Sequence, residues 1–141
     1  MKEFTSFIIK PDGMVNRSAI RDMILKSGLV ITESKILLLP KWAIEILYDN
    51  VPANILVAKE EYFSSPVEVG LIEGENAIET FFELCGSKTR PSECDPGTIR
   101  AIFGKASPTL IKGVDYFLNA IHRPNREEAV KNIELIKSLL L

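Results

Sequence analysis

The apolar positions of the chain change period several times, and each change marks an element. Phe4 to Ile9, ending in the apolar run Phe7-Ile8-Ile9, reads as a buried strand, and Lys10-Pro11-Asp12-Gly13 halts it with turn chemistry. Ile20, Met23, Ile24 and Ser27 then recur at helical spacing, and Gly28 is placed to end that helix. Leu29 to Leu39 is rich in β-branched and apolar residues, which predicts a strand ended by Pro40. Lys41 to Phe63 reads as helix in two pieces, broken around Val51-Pro52. Val67, Val69 and Leu71 alternate, predicting a third strand over Pro66 to Ile72. Asn76 with Glu79 has the form of a capping box before a helix that buries Ile78, Phe81 and Cys85. A polar loop runs from Gly86 to Gly97, and a short strand is expected just before His122. Asn125 with Glu128 repeats the capping form, and Ala129, Ile133, Ile136 and Leu140 share one face of the last helix.

The order is strand, helix, strand, helices, strand, helix, strand, helix, which points to α+β. A ferredoxin-like βαββαβ antiparallel sheet with helices on one face is the economical packing. No repeat, low-complexity tract or linker divides the chain, so residues 1–141 read as a single domain. The formal net charge of −2 gives no global positive field to recruit nucleic acid. No apolar stretch reaches membrane length, and the N-terminus lacks the apolar run of a signal peptide. Cys85, Cys94 and a lone histidine fall short of a structural zinc set, so a reducing, cytoplasmic setting is expected.

The chain contains neither G-x-x-x-x-G-K-[ST] nor G-x-G-x-x-G, which excludes the P-loop and dinucleotide-binding patterns. Serine hydrolase and zinc deaminase patterns fail on motif and ligand count. Three segments remain. Ile8-Ile9-Lys10-Pro11-Asp12-Gly13 puts an ammonium at a rigid strand end, where it can meet an anion. Asp95-Pro96-Gly97-Thr98-Ile99-Arg100 delivers a guanidinium, which grips phosphate with two parallel hydrogen bonds. Asn119-Ala120-Ile121-His122 offers an imidazole, nucleophilic near neutral pH and able to carry a phosphoryl group.

In that order and over most of the chain, these segments resemble the nucleoside diphosphate kinase family. Its pattern has a lysine in I-K-P-D, an arginine in P-G-T-I-R and a histidine in N-x-x-H. Ser64-Ser65-Pro66-Val67 and Glu73-Gly74-Glu75-Asn76-Ala77 are similar to the family's central strand and the helix start after it. The resemblance implies a ping-pong transfer of the terminal phosphate from a nucleoside triphosphate to a diphosphate, through a phosphohistidine at His122. Lys10 would hold the transferring oxygens, Arg100 and Thr89 the nucleotide phosphates, and Asn119 the sugar and phosphate end. Tyr48 would stand beside the histidine. Mg2+ would arrive bridging the phosphates, with no metal site in the protein itself. The partners implied are nucleoside triphosphates and diphosphates and further copies of the chain, in a dimer-based tetramer or hexamer.

The chain also departs from the pattern. Phe82 stands where members usually place a phosphate-binding arginine, and Lys88 or Arg90 in the next loop would compensate. Asn132 replaces the acid that orients the histidine; it can still accept from the ring N–H without supplying charge. No aromatic residue between Asp49 and Glu61 is available to stack on a base, leaving Ile55 or Leu56. Ala101 to Leu118 is longer than usual, and Lys105 to Phe117 reads as an inserted helix. These departures keep a second reading open, a weak or inactive relative serving as a nucleotide-binding or scaffold module.

Overall fold

The structure is a computed structural model describing residues Met1 to Leu141. In chain order it contains β1 (Lys2–Ile9), α1 (Arg17–Lys26), β2 (Val30–Leu37), α2 (Lys41–Leu47), α3 (Ala53–Tyr62), β3 (Val67–Glu75) and α4 (Ala77–Cys85). These are followed by α5 (Ile99–Phe103), β4 (Thr109–Ile111), β5 (Val114–Tyr116), β6 (Ile121–His122) and α6 (Ala129–Leu140). Short 3-10 turns cover Pro11–Asn16 and Pro91–Glu93.

Four strands form one antiparallel sheet in the order β2-β3-β1-β6, the ferredoxin-like arrangement expected from the sequence. β1 is central. It pairs with β3 from Lys2↔Glu75 to Ile9↔Glu68, and with β6 through Ile8↔His122 and Ile9↔Ile121. Its alternating side chains enter two cores. Phe7 and Ile9 pack in one cluster with Ile20 and Ile24 of α1 and Phe81 of α4. Ile8 packs in the other with Ala43 of α2, Ala58 of α3 and Ile136 of α6. Helices therefore cover both faces, not one, which explains why Phe7, Ile8 and Ile9 are apolar in succession instead of alternating. Complete burial of one such isoleucine stabilises the fold by about 1.5–3 kcal/mol. His122 thus sits on a two-residue strand fixed against the buried end of β1.

The sequence expectation fails in two further places. Residues 105–117 contain no helix; β4 and β5 pair as a hairpin from Thr109↔Tyr116 to Ile111↔Val114. The two residues between the strands, Lys112 and Gly113, have φ of 49° and 77°, the left-handed pair that a tight hairpin turn requires. Asn76 is the second of these. It caps no helix with its side chain but adopts φ 49° itself, and Ile78 is only partly buried. The reciprocal bonds expected at Asn125 do form, in the turn ahead of α6, whose own N-cap is Glu128. The Asn125 N–H bonds to Glu128 Oε1 at 3.1 Å, and its Oδ1 accepts from the Glu128 N–H at 2.9 Å. No helix is long and apolar enough to cross a membrane.

Candidate active site

The turn after β1 and the segment before β6 are built as one unit. The Lys10 N–H donates to Ala120 O at 2.8 Å, and the Ala120 N–H donates to Asp12 Oδ2 at 3.0 Å. The Tyr62 hydroxyl donates to the other Asp12 oxygen and anchors that carboxylate to α3. Gly13 allows the close approach: a Cβ there would lie 2.3 Å from Ala120 O. Ala120 has φ 71°, and Ile121 N–H bonds back to Asn119 O at 2.8 Å, a γ-turn of the rare positive-φ kind. Such backbone strain persists where the surroundings over-determine it, here through Asp12 and Lys10. The turn sets Asn119 and His122 on either side of a fixed corner.

Side chains then interlock around it. Lys10 Nζ donates to Asn119 Oδ1 at 2.9 Å, and Asn119 Nδ2 donates to Thr89 O at 3.0 Å. Both side chains are buried. Arg100, 4% exposed, donates from Nε and Nη2 to Ile121 O at 3.3 and 2.8 Å, and from Nη1 to Lys88 O at 2.9 Å. The Tyr48 ring meets the His122 ring edge-on, with centroids 6.4 Å apart, and the buried Tyr48 hydroxyl has no partner.

The protonation state of His122 follows from its neighbours. Asn132 Nδ2 donates to Glu128 O at 3.2 Å, which turns its Oδ1 toward the imidazole. His122 Nε2 lies 2.7 Å from that oxygen. Since an amide oxygen only accepts, Nε2 carries the proton and Nδ1 carries the lone pair. Burial, then the charge of Lys10, hold the imidazole pKa down to about 3, against the smaller opposing effect of the Asn132 bond. The ring is therefore a neutral nucleophile across the physiological range.

This has a measurable consequence. An unfolded histidine protonates near pH 6.5. Between that pH and about 3 the unfolded chain binds a proton that the folded one refuses. His122 therefore costs no stability at pH 8 and destabilises progressively as pH falls below about 6.5. The Tm of His122→Gln relative to wild type should rise by about 5 °C or more between pH 7 and pH 4.5. A difference that stays constant with pH would show that the imidazole is freely protonated.

Among the residues singled out in the sequence, Lys10, Thr89, Arg100, Asn119, His122, Tyr48 and Asn132 are joined by these contacts. Thr89 joins through its carbonyl, its side chain being exposed. Arg90 lies outside the network, with its guanidinium 4.9 Å from the centroid of the Phe117 ring. A cavity of about 160 Å³ opens beside them, lined by Lys10, Ile55, Lys59, Thr89, Tyr116 and Asn119 among others. Lys59 was not apparent from the sequence. Its Nζ sits 3.9 Å from the Tyr48 ring centroid, and burial lowers its pKa to about 8. Arg123 was missed as well, although it directly follows His122. Burial and then Arg100 lower its pKa to about 10. Cations thus crowd one corner, an arrangement suited to receive a polyanion and place it against a neutral imidazole. No three His, Cys, Asp or Glu side chains converge to hold a metal ion.

One family model, described as nucleoside diphosphate kinase, matches residues 3–137. A curated nucleoside diphosphate kinase of Ehrlichia canis (strain Jake) is 34% identical over 127 residues, covering 86% of this chain and 89% of that protein. One from Streptococcus pneumoniae (strain Hungary19A-6) is 33% identical over 135 residues, covering 92% and 94%. Among solved structures, the Aquifex aeolicus nucleoside diphosphate kinase superposes with a TM-score of 0.79 at 28% identity, covering 96% of this chain and 95% of that one. The Borrelia burgdorferi enzyme, solved as a transition-state mimic with vanadate and ADP, gives 0.72 at 27% identity over 95% and 86%.

Proposed function

Because the chain belongs to the nucleoside diphosphate kinase family, we propose that it moves the terminal phosphate of a nucleoside triphosphate to a nucleoside diphosphate through a phosphohistidine at His122. In the first half-reaction the Nδ1 lone pair attacks the terminal phosphorus. The bond from that phosphorus to the bridging oxygen breaks, and a nucleoside diphosphate leaves. In the second half-reaction an incoming diphosphate oxygen attacks the phosphohistidine, and the electron pair returns to Nδ1. The observation that carries this reading is the fixed tautomer: Asn132 holds Nε2–H and leaves Nδ1 without a partner, on a ring that feels the charges of Lys10 and Arg100.

Lys10 follows the transferring oxygens with the ammonium N–H bonds not engaged by Asn119. Arg100 and Thr89 contact the nucleotide phosphates, Asn119 the sugar and phosphate end, and Arg90 approaches from the loop. Tyr48 packs against the imidazole and limits its rotation. The donor set suits a divalent ion carried in by the nucleotide: the corner is cationic and would repel a bare ion. Mg2+ bound to the phosphate oxygens would neutralise charge that develops on the leaving diphosphate.

Residues 1–141 act as one such unit. Cys85 and Cys94, both free thiols, suit a cytoplasmic setting. Copies of the chain would assemble into a dimer-based tetramer or hexamer; β2, an edge strand that exposes Val30 and Ile36, supports pairing of copies but not their number.

Incubation with ATP labelled at the terminal phosphate should transfer label to the protein. That label should be lost in acid, survive alkali, and pass to added nucleoside diphosphate. Nucleotide binding without any protein label would instead favour a non-catalytic binding module.

A further inference from the structure

We propose that Arg123 is a phosphate-binding residue of the nucleotide site, its guanidinium held over the Phe82 ring and aimed at the phosphate that His122 receives. The proposal rests on the reading of the site as a nucleotide site and adds to it a residue that no sequence pattern assigned.

Arg123 is fixed, not mobile. Its backbone follows β6 directly and precedes a buried Pro124. Its Nε and Nη2 both donate to Gly86 O, at 3.3 and 3.1 Å. The guanidinium carbon lies 4.1 Å from the Phe82 ring centroid, the distance of a cation stacked on an aromatic face. This accounts for Phe82 itself. A phenylalanine on α4 gives no charge to the site, but it supplies the platform on which the guanidinium from residue 123 lies.

Arg123 also has no anionic partner. The ion pairs of the fold employ the N-terminal amine, Lys2, Arg17, Arg21, Arg126 and Lys131, and none includes Lys10, Arg100 or Arg123. Glu128 acts on Arg123 only at a distance, and Arg100 opposes it. Guanidinium has five N–H donors. The bonds to Gly86 O leave Nη1 entirely free. A part-buried cation, repelled by a second arginine, lacking a carboxylate and presenting free donors, is arranged for an anion that arrives from outside. The polyphosphate is the anion this site is read to take.

The test is calorimetric titration of ADP with Mg2+ on wild type, Arg123→Gln, Arg123→Lys and Arg126→Ala, at two salt concentrations. Steady-state exchange and Tm are measured alongside. The glutamine amide can still donate to Gly86 O, so it removes charge without removing the structural bond. Arg123→Gln should bind ADP on the order of ten- to a hundred-fold more weakly and lose part of the salt dependence. Arg123→Lys should recover some affinity, and Arg126→Ala, an exposed residue paired with Glu3, should match wild type. ADP affinity and salt dependence unchanged in Arg123→Gln would overturn the assignment, while leaving phosphohistidine formation intact. If ADP binding weakens as described but no wild-type label forms on His122, the enzymatic reading fails and the phosphate contact stands.

Discussion

Exchange of phosphate between ATP and a nucleoside diphosphate should fall at least about 10⁴-fold in His122→Ala, and acid-labile label should disappear from the protein. The expectation rests on chemistry that nothing else in the chain can supply. His122 is the only histidine, so no neighbouring imidazole takes over when it is removed. Cys85 and Cys94 are buried, and burial pushes the Cys85 thiol further from the reactive thiolate. The fold should tolerate the change. The His122 side chain makes its single hydrogen bond to Asn132, and the pairing of β6 with β1 is made by backbone. Circular dichroism and a Tm at pH 7 close to wild type would confirm that loss of activity is loss of the nucleophile. Exchange at the wild-type rate would sink the phosphohistidine mechanism outright.

Much of this was legible in the sequence because it is local. The periods of Phe4 to Ile9 and of Val67 to Leu71 report strands, and Pro40 and Gly28 report where elements end. Lys10, Arg100, Asn119 and His122 were legible as a set because the I-K-P-D, P-G-T-I-R and N-x-x-H segments that carry them follow one another in the order of the family pattern. The hairpin at 109–116 was misread although its signal was present. Lys112-Gly113 lies between two short apolar runs, and the helical reading gave too little weight to the glycine. Asn76 was misread because asparagine both caps helices and tolerates left-handed backbone, and spacing alone does not separate the two uses. Arg123 belongs to another class. Its meaning depends on Gly86 and Phe82, some forty residues earlier in the chain, and only the folded arrangement brings the three together.

Lys10→Met should lower kcat/KM by roughly 10²–10³-fold while leaving Tm unchanged or raised, an inversion of the usual effect of a core substitution. In the folded protein Lys10 is 6% exposed and its ammonium has one hydrogen-bond partner, Asn119 Oδ1. Burial, followed by the charges of Arg100 and Lys59, pushes its pKa well below that of a free lysine, with Asp12 opposing. An ammonium kept charged under those conditions costs stability. The cost is present in full below the folded pKa and vanishes above about pH 10.4, where the unfolded lysine is also neutral. Methionine fills similar volume without charge, so its advantage in Tm should be clear at pH 7 and shrink as pH approaches 10. The loss of a hydrogen bond to Asn119 offsets part of that gain. Arg100 should behave differently. Its N–H groups satisfy Ile121 O and Lys88 O, so Arg100→Ala should lower both activity and Tm. Exchange assays and thermal melts on both variants separate the two roles. A Lys10→Met protein that melts lower than wild type but exchanges phosphate at the same rate would make Lys10 a structural residue and remove it from the catalytic set.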